Sequence, residues 1–271
     1  MLRSDHSESN GAGMAADQFV YFHGQPGSPD ELSLVAAGRL PSGLFAPDRA
    51  TDRPDLPLGG YLDHLTATVL ARYPAGPIRL VGFSLGAVVA IEVALRIAGR
   101  DVRLDLVSPA APLGLGDFLP DMAGGAVFGL AARSPGLFGL LTGVQGALAR
   151  LAPDLLFSQI FAGAAGADAD LARDPAFQAT LKRILAHGLA GGAKGYRREV
   201  LGYVAWAPER LSGLTHPVTL WQGEADSWTP PAMARALAAA LPGAPEVRTF
   251  PGLSHYSTLQ AALPAIFAGG T

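Results

Sequence analysis

Cysteine is absent from this chain of 271 residues. That excludes disulfides, thiolate metal ligands and a cysteine nucleophile, and it removes any cysteine-based argument for secretion. Charge is sparse too: Asp, Glu, Lys and Arg make up 16% of the residues, with a formal net charge of −3. No basic cluster exceeds a pair such as Arg197-Arg198, so the chain carries no electrostatic footprint for nucleic acid. Long apolar runs are missing as well. The most apolar stretch, Gly124 to Leu151, is cut by Arg133, Pro135 and several glycines, short of the roughly 18 uninterrupted residues that read as a transmembrane segment. Residues 1–17 are polar with no apolar targeting core, so they read as a disordered tail in which Met14 is a second candidate start. A cytoplasmic protein is the expectation.

What the chain does have is 49% apolar residues. That composition and length suit one large α/β domain with a sizeable core. Its centre is Ile78 to Ala98: a buried-strand run, then Gly82-Phe83-Ser84-Leu85-Gly86, then an apolar stretch long enough for a helix. In that context G-x-S-x-G reads as a nucleophile elbow, a sharp turn that aims the serine hydroxyl outward with a helix N-terminus behind it.

The flanking chain reads as alternating strands and helices. Gln18 to Phe22 is a strand running into the Gly/Pro-rich loop His23 to Pro29. Asp30 to Leu40 reads as a helix with Asp30 as cap, Gly43 to Ala46 as a second short strand, and Tyr61 to Tyr73 as a helix. Asp101 to Val107 is the next strand. From 113 to 211 no convincing strand occurs; helical patterns run over Leu155 to Phe161, Pro175 to Leu189 and Lys194 to Trp206. The sheet pattern resumes with Pro217 to Trp221, a helix capped by Thr229, the strand Glu246 to Phe250 and a closing helix Tyr256 to Phe267. Alternation of this kind predicts a mostly parallel sheet covered on both faces. The expected division is a tail at 1–17, an α/β core at 18–112 and 212–271, and an inserted helical cap at 113–211.

A neutral serine needs a base held by a third group. His255 is the candidate base, because its loop follows a strand at the edge where parallel sheets form sites. Asp226 is the candidate acid, with Glu224 as its rival. The Leu85 N–H, and as second donor the Gln25 N–H, are the candidate oxyanion hole; His23 reads as a loop brace and not as the base. Trp228 is the candidate substrate-binding wall, and Phe128, Phe138, Phe157 and Phe161 mark an apolar cap. No histidine pair at ligand spacing calls for a metal, and no cofactor is called for.

The His-Gly-Gln-Pro-Gly loop at 23–27, Gly-Phe-Ser-Leu-Gly at 82–86, Gly-Glu-Ala-Asp at 223–226 and Gly-Leu-Ser-His at 252–255 resemble the α/β-hydrolase fold superfamily, in its capped serine hydrolase branch. The resemblance implies that the insertion is a lid over the site. The family usually opens with two further antiparallel strands; here only a short polar segment precedes Phe19, so an N-terminally shortened sheet of about six strands is expected. The function implied is hydrolysis of a small or medium lipophilic ester, thioester or lactone through an acyl-enzyme on Ser84. Carbon–carbon bond hydrolysis, amide or peptide-terminus cleavage, and a catalytically silent binding protein on the same scaffold are the alternatives. The partner expected is a small lipophilic molecule, and oligomeric state stays open.

Overall fold

The computed structural model describes residues 18–35 and 39–269; the segment expected as a tail lies outside the described residues. Five strands, β1 (Gln18–Phe22), β2 (Ile78–Phe83), β3 (Val102–Val107), β4 (Val218–Gly223) and β5 (Glu246–Phe250), lie side by side in chain order, each pair parallel. Helices α1 (Leu58–Arg72) and α2 (Gly86–Ala94) make the first crossovers. Between β3 and β4 the alternation stops for six helices: α3 (Gly125–Arg133), α4 (Pro135–Leu151), α5 (Pro153–Ile160), α6 (Asp168–Leu171), α7 (Pro175–Gly188) and α8 (Lys194–Val204). Then α9 (Pro231–Ala240) joins β4 to β5, and α10 (His255–Phe267) closes the chain.

Strands β1 to β4 bury both faces over most of their length, which is why they read as apolar runs, whereas the edge strand β5 is largely exposed. Val20, Phe22, Leu80, Leu104 and Leu220 face α1, α2 and α9 in one core. Phe19, Tyr21, Val81, Phe83 and Trp221 face α10 in another. The inserted helices build a third core around Phe138, Leu181, Leu185, Val200 and Tyr203, reaching the sheet body through Leu85 and Ala110. Proline at the first helical position starts α4, α5 and α7, where its missing N–H is no loss.

Three local expectations are corrected. The Gly43 to Ala46 strand shrinks to one bridge: Phe45 pairs with Val20 on the edge of β1 away from β2, and Pro47 soon ends the pairing. Among the described residues the sheet thus has five strands plus this bridge. The helix expected from Asp30 is a 3-10 turn at Pro29–Leu34, capped by the Ser28 hydroxyl accepting from the Asp30 N–H at 3.3 Å; part of its expected C-terminal end lies outside the described residues. Thr229 does not cap α9, which starts at Pro231 with Pro230 in the cap position. The glycine-rich helices α3 and α4 lie where the sequence shows no clear helical pattern.

After β1 the chain steps outward to Phe45 and then back to β2 on the other side. The strand order therefore reverses between β1 and β2, and crevices open at such a point, outside the C-terminal strand ends. Among the described residues no helix is long and apolar enough to cross a membrane.

Candidate active site

Ser84 lies between the end of β2 and the start of α2 with φ +56°, a left-handed conformation that costs a non-glycine residue about 1–3 kcal/mol and persists only when its surroundings impose it. They do. The Ser84 N–H donates to Val107 O at 3.0 Å, and Ser84 O accepts from Ala87 and Ala110 N–H at 3.1 and 3.2 Å. The flanking glycines permit the turn: a Cβ on Gly86 would stand 2.1 Å from Phe22 O, and one on Gly82 2.6 Å from the Ala87 backbone. Strand and helix could not close on each other with side chains there.

His255 opens α10 and is buried, with Nδ1 2.9 Å from Asp226 Oδ2. Asp226 is buried just past β4, and its Oδ1 accepts the Trp228 and Thr229 N–H groups at 2.8 and 3.0 Å. The Thr229 hydroxyl lies 3.1 Å from Asp226 Oδ2 and 3.0 Å from Ser108 O. Burial alone would push the Asp226 carboxyl up, but the charge and hydrogen bond of His255, with the Thr229 N–H, hold it below the usual carboxylate range. An acceptor at Nδ1 places the ring proton there and leaves Nε2 as the basic nitrogen. Glu224, the rival acid, is exposed to solvent.

Ser84 and His255 line one cavity of about 240 Å³. The ring of Phe83, the neighbour of Ser84, stands 4.6 Å from the imidazole. Among the described residues the Ser84 hydroxyl makes no hydrogen bond, so the structure joins Asp226 to His255 and sets Ser84 on the same cavity without closing the Ser84–His255 contact. Gln25 and Leu85 also line it, and neither backbone N–H is engaged by another described residue. The Gln25-Pro26 bond is cis.

The loop carrying Gln25 is braced from below. His23 is fully buried; its Nε2 accepts the Arg49 N–H at 3.3 Å, which puts the ring proton on Nδ1 facing Gly24 O at 2.7 Å. Burial and the Arg49 charge keep this imidazole neutral, with its pKa well below the ordinary value. The Gln25 side chain donates to Glu199 of α8 at 2.9 Å, and Arg49 pairs with the same carboxylate at 2.7 Å. Glu31 supports the loop from the other side by accepting the Gly24 N–H at 2.9 Å.

The wall is mostly apolar. Trp228 belongs to it and packs near-parallel on the His255 ring at 6.0 Å. Phe128 lines the cavity, whereas Phe138, Phe157 and Phe161 sit in the core of the inserted helices. Sequence reasoning did not name Met122, Val127, Leu156 and Tyr196 as wall residues, though they line the cavity; Met122 and Val127 lie where no helix was recognised, and a position on a recognised helix does not say whether it faces core or cavity. It also passed over Asp168, whose buried carboxylate accepts the Tyr256 and Ser257 N–H groups at the start of α10 at 2.9 and 2.8 Å.

The chain matches the alpha/beta hydrolase family over residues 16–267 and belongs to it. Among solved structures it is similar to an N-acyl homoserine lactone degrading enzyme, at 18% identity and TM-score 0.58, covering 95% of this chain and 93% of that one. It is similar to the enol-lactonase from Burkholderia xenovorans, at 19% identity and TM-score 0.59, covering 94% and 90%. A bromoperoxidase from Bacillus anthracis matches at 15% identity and TM-score 0.62, covering 94% and 92%. These likenesses establish the shared fold. No curated protein matches the chain.

Proposed function

We propose that this protein is a serine hydrolase of small or medium lipophilic carboxylic esters, thioesters or lactones, with the helices at 113–211 acting as a cap over the site. The observation that carries the reading is Ser84, held at φ +56° on a largely apolar cavity that the His255–Asp226 pair also reaches. Ser84 Oγ attacks the substrate carbonyl carbon while His255 Nε2 takes its proton. Asp226 fixes the imidazole and stabilises the imidazolium. The Leu85 and Gln25 N–H groups receive the negative charge that develops on the carbonyl oxygen. His255 then returns the proton to the leaving oxygen or sulfur. A water, deprotonated by the same nitrogen, attacks the acyl-Ser84 ester and releases the acid. Trp228 and Phe128 offer the acyl chain an apolar wall.

A fluorophosphonate probe tests this directly. Wild-type protein is expected to be labelled at Ser84, and Ser84→Ala protein to stay unlabelled. A panel of esters graded by acyl length is expected to give best turnover at short or medium chains. Folded wild-type protein that resists the probe and hydrolyses none of the panel would place the chain with silent binding proteins.

A further inference from the structure

The outer face of α4 is apolar and open to solvent. Leu137, Leu140, Val144 and Leu151 are all exposed, Leu140 at 67% and Leu151 at 84%. At 3.6 residues per turn these four fall within an arc of about 60°. The opposite face of the same helix, Phe138, Thr142 and Ala149, is buried, and Gln145 on that side reaches the cavity wall. Among the described residues nothing covers the outer stripe. Leu155 at the start of α5 extends it, while Leu156, Gln159 and Ile160 of α5 line the cavity. The patch and the cavity are two sides of the same pair of helices.

The charges around the stripe select its occupant. No carboxylate occurs between Asp121 and Asp154. Arg133, the last residue of α3 just before α4, and Arg150, in the last turn of α4, stand exposed, and neither forms an ion pair among the described residues. Asp154, next along, is already paired with Lys182. A second copy of the chain docking through this face by two-fold symmetry would lay α4 on α4. Parallel or antiparallel, cation would then meet cation with no acid in the segment to relieve it. A surface of apolar chains under anionic headgroups answers both features at once: the leucines enter the acyl boundary and the arginines meet phosphate.

We propose that α4, continued by Leu155, docks this protein on anionic lipid surfaces and so holds the cavity-bearing helices where lipophilic molecules dissolve. The proposal does not depend on the chemistry of Ser84, because docking is read without turnover. Flotation of the full chain with phosphatidylglycerol/phosphatidylcholine vesicles at low ionic strength is expected to carry it to the lipid fraction. Pure phosphatidylcholine and high salt are each expected to lower partitioning about tenfold or more. The double variant Leu140→Glu/Leu151→Glu is expected to lose vesicle binding, with its circular dichroism and its hydrolysis of a short soluble ester unchanged. Arg133→Gln/Arg150→Gln is expected to lose the preference for anionic lipid and keep the fold. Wild-type protein that stays in the aqueous fraction overturns the proposal, as do leucine variants that float like wild type. A concentration-dependent dimer in sedimentation velocity that Leu140→Glu abolishes would assign the face to a second copy, and it too overturns the proposal.

Discussion

Glu31 shows how one side chain couples folding to pH. Both the Tyr21 hydroxyl and the Gly24 N–H donate to its Oε2, at 2.8 and 2.9 Å, and its Oε1 has no partner. Complete burial pushes its pKa from the ordinary 4.5 to about 7, against the opposing pull of those hydrogen bonds. The folded state therefore holds this proton more tightly than the unfolded chain does. Its contribution to stability is full below about pH 4.5, falls as pH rises to about 7, and is level above that. A shift of that size corresponds to a loss on the order of 3 kcal/mol. Glu31→Gln cannot titrate, so its urea midpoints at pH 5 and pH 8 are expected to lie closer together than those of wild type; an unchanged gap would assign the pH dependence to other groups. Asp226 works with the opposite sign: its lowered pKa adds stability above the ordinary carboxylate value of 3.8, lost as pH falls through the folded value. The placement of Ser84, Asp226 and His255 was legible because each residue follows a strand by a few positions, and parallel topology gathers those ends. Glu31 was not legible. In sequence it is one acid in a Pro/Ser-rich turn, and its burial depends on a loop folding over it.

Among the elements, α10 depends on a helix that sequence reading passed over. Its first residue is His255, and its first turn presents unpaired N–H groups. The four-residue α6 supplies the acceptor, although 88 positions separate Asp168 from Tyr256. Oδ2 takes the Tyr256 N–H, and Oδ1 takes the Ser257 N–H and hydroxyl, the latter at 2.6 Å. A carboxylate at a helix N-terminus also suits the helix dipole. Asp168→Ala is expected to cost about 1–2 kcal/mol in stability. It is also expected to lower kcat about tenfold, with KM nearly unchanged, because a small misplacement of His255, the proposed base, affects the transition state more than binding. Asp168→Asn keeps an acceptor oxygen and is expected to recover most of kcat. Wild-type kcat in Asp168→Ala would mean that α6 does not position His255. The same comparison explains which helices could be read in advance. Asp174 before Pro175 announced α7, and its carboxylate does accept the Ala176 N–H at 2.8 Å. Helices α3 and α4 carry glycines at 125, 129, 136, 139, 143 and 146, which lower intrinsic propensity and hide the period; packing in the core of the inserted helices compensates.

Across the whole molecule, the parallel sheet was readable because buried strands and amphipathic helices differ in length and period. How the helices between β3 and β4 fasten to the sheet body was not, since the fastening includes a buried ion pair between distant segments. Arg49 is fully buried and donates to Glu199 of α8 at 2.7 Å, while its other guanidinium nitrogen reaches His23 O. Gln25 donates to the same Glu199 oxygen, and the Arg198 side chain returns to Arg49 O at 3.3 Å. The loop bearing Gln25, the segment around Arg49 and α8 thus meet at one carboxylate. Breaking such a pair from one side strands the other charge in a dry interior, at about 3–5 kcal/mol, whereas replacing both members with apolar groups is often close to neutral. Arg49→Met and Glu199→Leu are therefore each expected to destabilise by amounts in that range, and the double variant by much less than their sum. Chemical denaturation of the four proteins gives the coupling energy. Additive losses would show that the two charges are solvated independently and that this ion pair does not fasten the helices. A large coupling, with ester turnover reduced in the double variant while stability recovers, is the expected result, because Gln25 then loses the acceptor that orients its loop.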